Sequence, residues 1–119
     1  MGLIEFIEPD FRFENENGIL VQLVHDGWKQ VNAIFSLGGK KRGGHYHKYN
    51  KEAFYVVSGS FKLVVWNNND KEEYWMKKGD MFVINEYVFH TFDFLEDTLL
   101  VSMYSNGVEF DFGKDIWAE

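Results

Sequence analysis

Apolar and polar residues alternate along this chain in short runs, and the runs are too brief and too β-branched or aromatic for helices. Phe11 to Glu14, Ile19 to His25, Trp28 to Leu37, Phe54 to Val57, Phe61 to Trp66, Met81 to Ile84, Phe89 to Leu95 and Leu99 to Tyr104 each read as a strand. Between them stand turn signals: Asn17-Gly18, Asp26-Gly27, Gly38-Gly39, Ser58-Gly59, Asn67 to Asp70, Gly79-Asp80 and Asn106-Gly107. Turns this frequent leave no room for a long helix, so the pattern predicts an all-β sandwich or barrel. Phe54, Val56, Phe61, Leu63, Val65, Phe82, Ile84 and Phe92 fall at alternating positions and are the expected core.

One stretch breaks the apolar rhythm. From Gly39 to Gly59 the chain carries His45, His47 and Glu52 between two turn glycines. If the run around the histidines is extended, both imidazoles leave the same face of one strand. Glu52 opens the next apolar run, and a strand returning beside the first would bring its carboxylate to that face. Two imidazoles and a carboxylate suit a borderline divalent ion such as zinc, iron, manganese or nickel. A fourth ligand is expected from far along the chain, since a barrel lines its interior from several strands. His90, within Val88-Phe89-His90-Thr91-Phe92, is the only later histidine. The remaining one, His25, reads as an ordinary surface or core residue with a satisfied hydrogen bond.

These residues resemble the cupin superfamily. Its first motif, G-x5-H-x-H-x3,4-E-x6-G, is matched in full by Gly39, His45, His47, Glu52 and Gly59. Its second, G-x5-P-x-G-x2-H-x3-N, is matched at Gly79 and His90 with the spacing kept, but Asn85, Tyr87 and Phe94 stand where proline, glycine and asparagine are usual. The fold this resemblance implies is all-β, a double-stranded β-helix or jelly-roll barrel, taking residues 1–119 as a single domain. The phrases around Arg42 to His47 and His90 to Phe94 look most like the small cupins of nucleotide-sugar and capsular-polysaccharide pathways, which include 3,4-ketoisomerases and epimerases. By that resemblance His45 or His47 would move a proton beside a carbonyl, and Arg42 would contact the diphosphate. A full metal-ligand set would instead occupy the histidines. A metal-dependent oxygenase or sugar-phosphate isomerase, and a non-catalytic sugar-binding cupin, therefore remain open beside it.

Charge narrows the partners. A formal charge of −7 argues against nucleic acid, whose phosphates are bound by basic surfaces. Yet Lys40, Lys41, Arg42, Lys48 and Lys51, five of the twelve basic residues, surround the two histidines. There they would attract an anionic small molecule, with Arg42, and Lys41 beside it, as the substrate contacts. Tyr49, between the candidate ligands, is expected to reach the pocket mouth as a phenolic donor or acid, and Tyr46 to point away from the histidines.

With 119 residues the chain can bury roughly two-thirds of its unfolded surface without staples, and it has no cysteine to form any. Its first ten residues carry acids and no basic n-region, and no apolar run approaches the ~18 residues of a membrane span. A cytoplasmic protein that does not engage membranes is expected. Ile4, Phe6 and Ile7 are more apolar than a free tail requires, which predicts a homodimer with this segment packed on the other subunit.

Overall fold

The computed structural model describes residues 2–118. Its strands are β1 (Ile4–Phe6), β2 (Phe11–Asn15), β3 (Gly18–Gln22), β4 (Gln30–Ser36), β5 (Lys41–Tyr46), β6 (Glu52–Ser58), β7 (Ser60–Trp66), β8 (Lys71–Lys77), β9 (Met81–Ile84), β10 (Phe89–Phe94), β11 (Thr98–Tyr104), β12 (Glu109–Phe110), β13 (Gly113–Lys114) and β14 (Trp117–Ala118). One five-stranded sheet runs β1-β9-β6-β11-β4 and faces a second, β14-β5-β10-β7-β8. From β4 to β7 and again from β8 to β11 consecutive strands cross between the sheets, as in a jelly roll or double-stranded β-helix.

The core lies between the sheets. Phe54 and Val56 of β6, Phe61, Leu63 and Val65 of β7, Phe82 and Ile84 of β9 and Phe92 of β10 are all buried in one cluster, as their alternation predicts. A second cluster covers the back of the first sheet, where Ile7, Leu23, Val24 and Trp28 pack on Ala53, Met81, Val83 and Met103. This cover explains why all four residues of β9 are buried although alternate side chains of a strand leave opposite faces.

Several strands were not legible in the sequence, β1, β8 and β14 among them. β8 reads Lys-Glu-Glu-Tyr-Trp-Met-Lys, a charged outer strand with only Met76 fully buried. β14 closes the second sheet by pairing Trp117 with Tyr46 and Ala118 with His45. β1 pairs with β9 of its own chain, Ile4 opposite Ile84, and Ile7 N–H donates to Met81 O at 3.0 Å. The segment thus pairs within its own chain, where the free edge of β9 needs hydrogen-bond partners, while Phe6 stays 55 % exposed. Further exposed apolar surface lies on Phe11, Phe13, Ile19 and Leu20 of the β2–β3 hairpin and on Val31 and Phe35 of β4 with Leu37 beyond it.

Where β5 meets β10 the register slips: His90 lies opposite His45, but Thr91 lies opposite Gly43. The extra residue forms a bulge of the kind that re-aims side chains. Gly43 and Gly44 take it up with φ of 113° and 78°. A Cβ on Gly43 would lie 2.4 Å from His90 O, whereas one on Gly44 would meet nothing within 4 Å. Gly44→Ala should therefore cost only the backbone term, about 1 kcal/mol, while Gly43→Ala must also part β5 from β10 and should cost at least about 3 kcal/mol. Urea denaturation of the two variants checks this, and equal losses would contradict the bulge geometry.

Candidate functional site

The bulge lies beside His45 of β5, and His47 follows just after the strand. The ligand nitrogens of His45, His47 and His90 all lie within 4.8 Å of one another. Glu52, at the start of β6, completes the group, with Oε1 3.0 Å from His47 Nε2 and 3.8 Å from His90 Nε2. The four residues proposed from their spacing thus converge between the sheets. His25 stays apart, exposed and paired with Asp10, whose hydrogen bond raises its pKa.

Each ring is held from behind. His47 Nδ1–H donates to Asp115 O at 2.7 Å, and His90 Nδ1–H to Val88 O at 3.3 Å. Both rings therefore present Nε2 to the centre. Asp115 also fixes the loop after β5. Its side-chain oxygens accept from the Lys48 and Tyr49 amides, each at 2.9 Å, from Asn50 Nδ2 at 2.9 Å and from Trp117 Nε1 at 2.7 Å. Burial alone would raise the Asp115 pKa, but these donors outweigh it and hold the carboxyl below its ordinary value.

Electrostatics divides the three imidazoles. Burial, then the neighbouring His45 and His47, push His90 down to about 3. Burial, then the charge of His47, lowers His45. Burial would lower His47 as well, but the hydrogen bond and charge of Glu52, helped by Asp115, raise it instead. Glu52 is 3 % exposed. Burial raises its pKa, only partly offset by His47, Tyr104 and Ser102. Near neutral pH the result is a buried His47–Glu52 pair flanked by two neutral imidazoles.

A cavity of about 450 Å³ opens beside this group, with His45, Glu52, His90, Lys41, Arg42 and Tyr104 in its wall. Arg42 Nε–H donates to Ser36 Oγ at 2.7 Å and its Nη2 to Phe35 O at 3.2 Å, which fixes the guanidinium and leaves its other donors free. His47 sits behind the wall.

Tyr49 does not line this cavity. With its amide on Asp115, its ring turns out against Phe110 and Phe112 and is 49 % exposed. The phenol that does line it is Tyr104, opposite Glu52 in the β11–β6 pairing and edge-on to His47. Burial, then Glu52, raises its pKa and keeps the hydroxyl protonated. Tyr104 and Ser102 share inward parity with Leu100 on an otherwise apolar strand, a signal that could have found them. Asp115 had no comparable signal. Tyr46 points outward, as expected, against Tyr87 and Phe89.

The family model for the cupin domain matches residues 33–105, more than half of the chain. The protein belongs to the cupin family. None of the curated proteins matches the chain significantly. Among solved structures, this cupin is similar to a 3,4-ketoisomerase from Helicobacter canadensis (TM-score 0.82, 14 % identity, 98 % of this chain and 90 % of that chain). It is also similar to the WlaRB TDP-quinovose 3,4-ketoisomerase from Campylobacter jejuni (0.81, 16 %, 97 % and 94 %). A third is the dTDP-6-deoxy-D-glucose-3,5-epimerase RmlC from Legionella pneumophila (0.74, 17 %, 88 % and 68 %). At these identities the likeness is one of fold, and it confirms the all-β architecture.

The donor set of this cupin fits a divalent ion. Three imidazoles whose ligand nitrogens lie within 4.8 Å of one another, two of them braced on backbone carbonyls so that Nε2 faces inward, and one buried carboxylate are the ligands and outer contacts such an ion takes.

A pH effect follows for chelator-treated protein. As pH falls below about 6.5 the unfolded chain protonates at position 90, while folded His90 stays neutral to about 3, so this residue drains stability across that window. Its contribution approaches about 1.4 kcal/mol per pH unit. His90→Gln should therefore lose less stability than the parent between pH 6.5 and 4 in urea titrations. Equal slopes would contradict a neutral buried His90.

Proposed function

We propose that this cupin is an isomerase or epimerase that moves a proton beside the carbonyl of a nucleotide-linked keto sugar. The observation that carries the reading is His45: a half-buried imidazole, lowered in pKa and so neutral at pH 7, in the wall of a cavity that also presents Arg42 and Lys41. The sugar-nucleotide enzymes among its structural neighbours support the same class.

His47 is engaged with Glu52, which leaves His45 as the base. In a ketoisomerisation the His45 imidazole takes the proton from the carbon next to the carbonyl. That C–H pair becomes the double bond of an enediolate, and the carbonyl oxygen takes the charge. Returning the proton to the former carbonyl carbon, while the hydroxyl proton passes between the two oxygens, moves the carbonyl by one position. Tyr104, a protonated phenol hydrogen-bonded to Glu52, takes the place in the cavity wall first expected of Tyr49. Arg42 and Lys41 hold the diphosphate.

The metal-dependent alternative rests on the convergence of His45, His47, Glu52 and His90. These four would hold a zinc, iron, manganese or nickel ion, which would polarise a carbonyl as a Lewis acid.

Incubation with TDP-4-keto-6-deoxyglucose in D2O should wash deuterium into the sugar carbon beside the carbonyl, followed by NMR. His45→Asn should abolish the exchange while the nucleotide sugar still binds. Arg42→Ala should weaken binding by about 10- to 100-fold, the loss of a charge-assisted contact. Exchange that persists in His45→Asn would sink the assignment of the base. Exchange that vanishes on chelation and returns with added ion would favour the metal-dependent reading.

We further propose a homodimer. The β2–β3 hairpin forms a two-stranded sheet of its own and exposes Phe11, Phe13, Ile19 and Leu20. An isolated hairpin is marginal in water, and a second copy would cover both it and the apolar β4 edge. Light scattering at micromolar concentration should give twice the chain mass. Phe13→Glu with Leu20→Glu should give one chain mass, and a parent protein already monomeric would overturn the proposal.

A further inference from the structure

The outer face of the second sheet carries a continuous row of aromatic rings. Trp66 of β7 stacks on Phe89 of β10 with centroids 5.4 Å apart and planes at 9°, and Phe89 lies 4.6 Å from Tyr46 of β5. Tyr46 in turn stacks with Tyr87 at 6.2 Å and 29°. Cross-strand pairing accounts for the first three, since aromatic neighbours stabilise a sheet.

Tyr87 is different. It lies between β9 and β10, and its φ of 64° makes it the one non-glycine residue of positive φ among the described residues. It stands where the second cupin motif has glycine, so the chain accepts a backbone strain that glycine would avoid. Its amide is fixed by donating to His47 O at 2.8 Å. The ring so placed remains 58 % exposed. Strain spent on holding an aromatic ring half in water implies a contact beyond the chain.

The row ends in a cavity of about 440 Å³, within the usual range for small-molecule sites. Tyr46, Tyr87 and Phe89 form its apolar side, and Asn68, Asn69 and Glu86 its polar side. Asn67 caps the neighbouring turn, its side-chain oxygen accepting from the Asn69 and Asp70 amides, so the turn does not need the side chains of Asn68 and Asn69. The cavity shares no wall residue with the one beside His45. It holds a carboxylate and no lysine or arginine, which disfavours nucleotides and other anions.

We propose that this outer cavity is a second binding site, for a neutral carbohydrate whose C–H face lies on Tyr87 and Tyr46 and whose hydroxyls meet Asn68, Asn69 and Glu86. A pyranose matches the lining because it pairs an apolar face with a rim of hydroxyls. Amides can both donate to and accept from these, and the carboxylate accepts.

Maltotriose, cellotriose and N,N',N''-triacetylchitotriose, each added alone to the full chain, provide the test, read by amide chemical shifts and calorimetry. At least one should bind at millimolar concentration or better and shift the resonances of Tyr46, Tyr87 and Asn68. Tyr87→Gly, which removes the ring and relieves the backbone, should weaken binding at least about tenfold without lowering the melting temperature. His45→Asn should leave the affinity unchanged. The proposal is overturned if none of the three saccharides binds, if Tyr87→Gly binds as well as the parent, or if His45→Asn abolishes binding and so assigns it to the inner cavity.

Discussion

A carboxylate held almost wholly out of water is the constraint around which this site is built. Glu52 is 3 % exposed, and a buried carboxyl group is tolerated only where partners replace its hydration. His47 supplies the closest, at 3.0 Å, with Tyr104 and Ser102 as the others. That arrangement commits His47 to the pair and leaves His45 and His90 neutral. The asymmetry among three chemically identical side chains therefore follows from burial and from one carboxylate, with no difference in the histidines themselves.

Holding His47 against Glu52 requires that the ring not turn away, and that task falls to the C-terminal segment. Asp115 accepts His47 Nδ1–H on its backbone oxygen, while its carboxylate gathers the Lys48 and Tyr49 amides, Asn50 and Trp117. Asn50 is itself buried and joins the 106–107 turn, accepting from Asn106 N–H and donating to Gly107 O, each at 2.8 Å. The loop between the candidate ligands is thus latched at several points to residues more than fifty positions later. A rigid imidazole is what both proton transfer and ion binding demand.

Much of this was legible before any coordinates. Alternation identified the inward residues of β6, β7, β9 and β10, because those strands face a dry core on a strict two-residue period. The spacing of His45, His47, Glu52 and His90 found the inner group, because strand periodicity and one return strand suffice to bring them together. What stayed hidden depends on contacts between distant segments. Asp115 sits in a short, weakly patterned tail whose role appears only when β14 pairs with β5. Tyr49 looked well placed from its position between ligands, but its backbone is turned by Asp115 and Tyr104 takes the cavity wall. The N-terminal apolar residues were read as seeking a partner, and the free edge of β9 lay nearer. β8 escaped notice because its outer face is charged and its pairing with β7 is not written in its own alternation.

Proton transfer at this site requires His45 to be the neutral, uncommitted imidazole beside a committed His47. Long-range proton–nitrogen correlation spectra of chelator-treated protein read the protonation of each ring nitrogen directly. At pH 7 they should show His45 and His90 neutral, and His47 protonated at Nδ1. A doubly protonated His45, or a His47 without a proton on Nδ1, would contradict it.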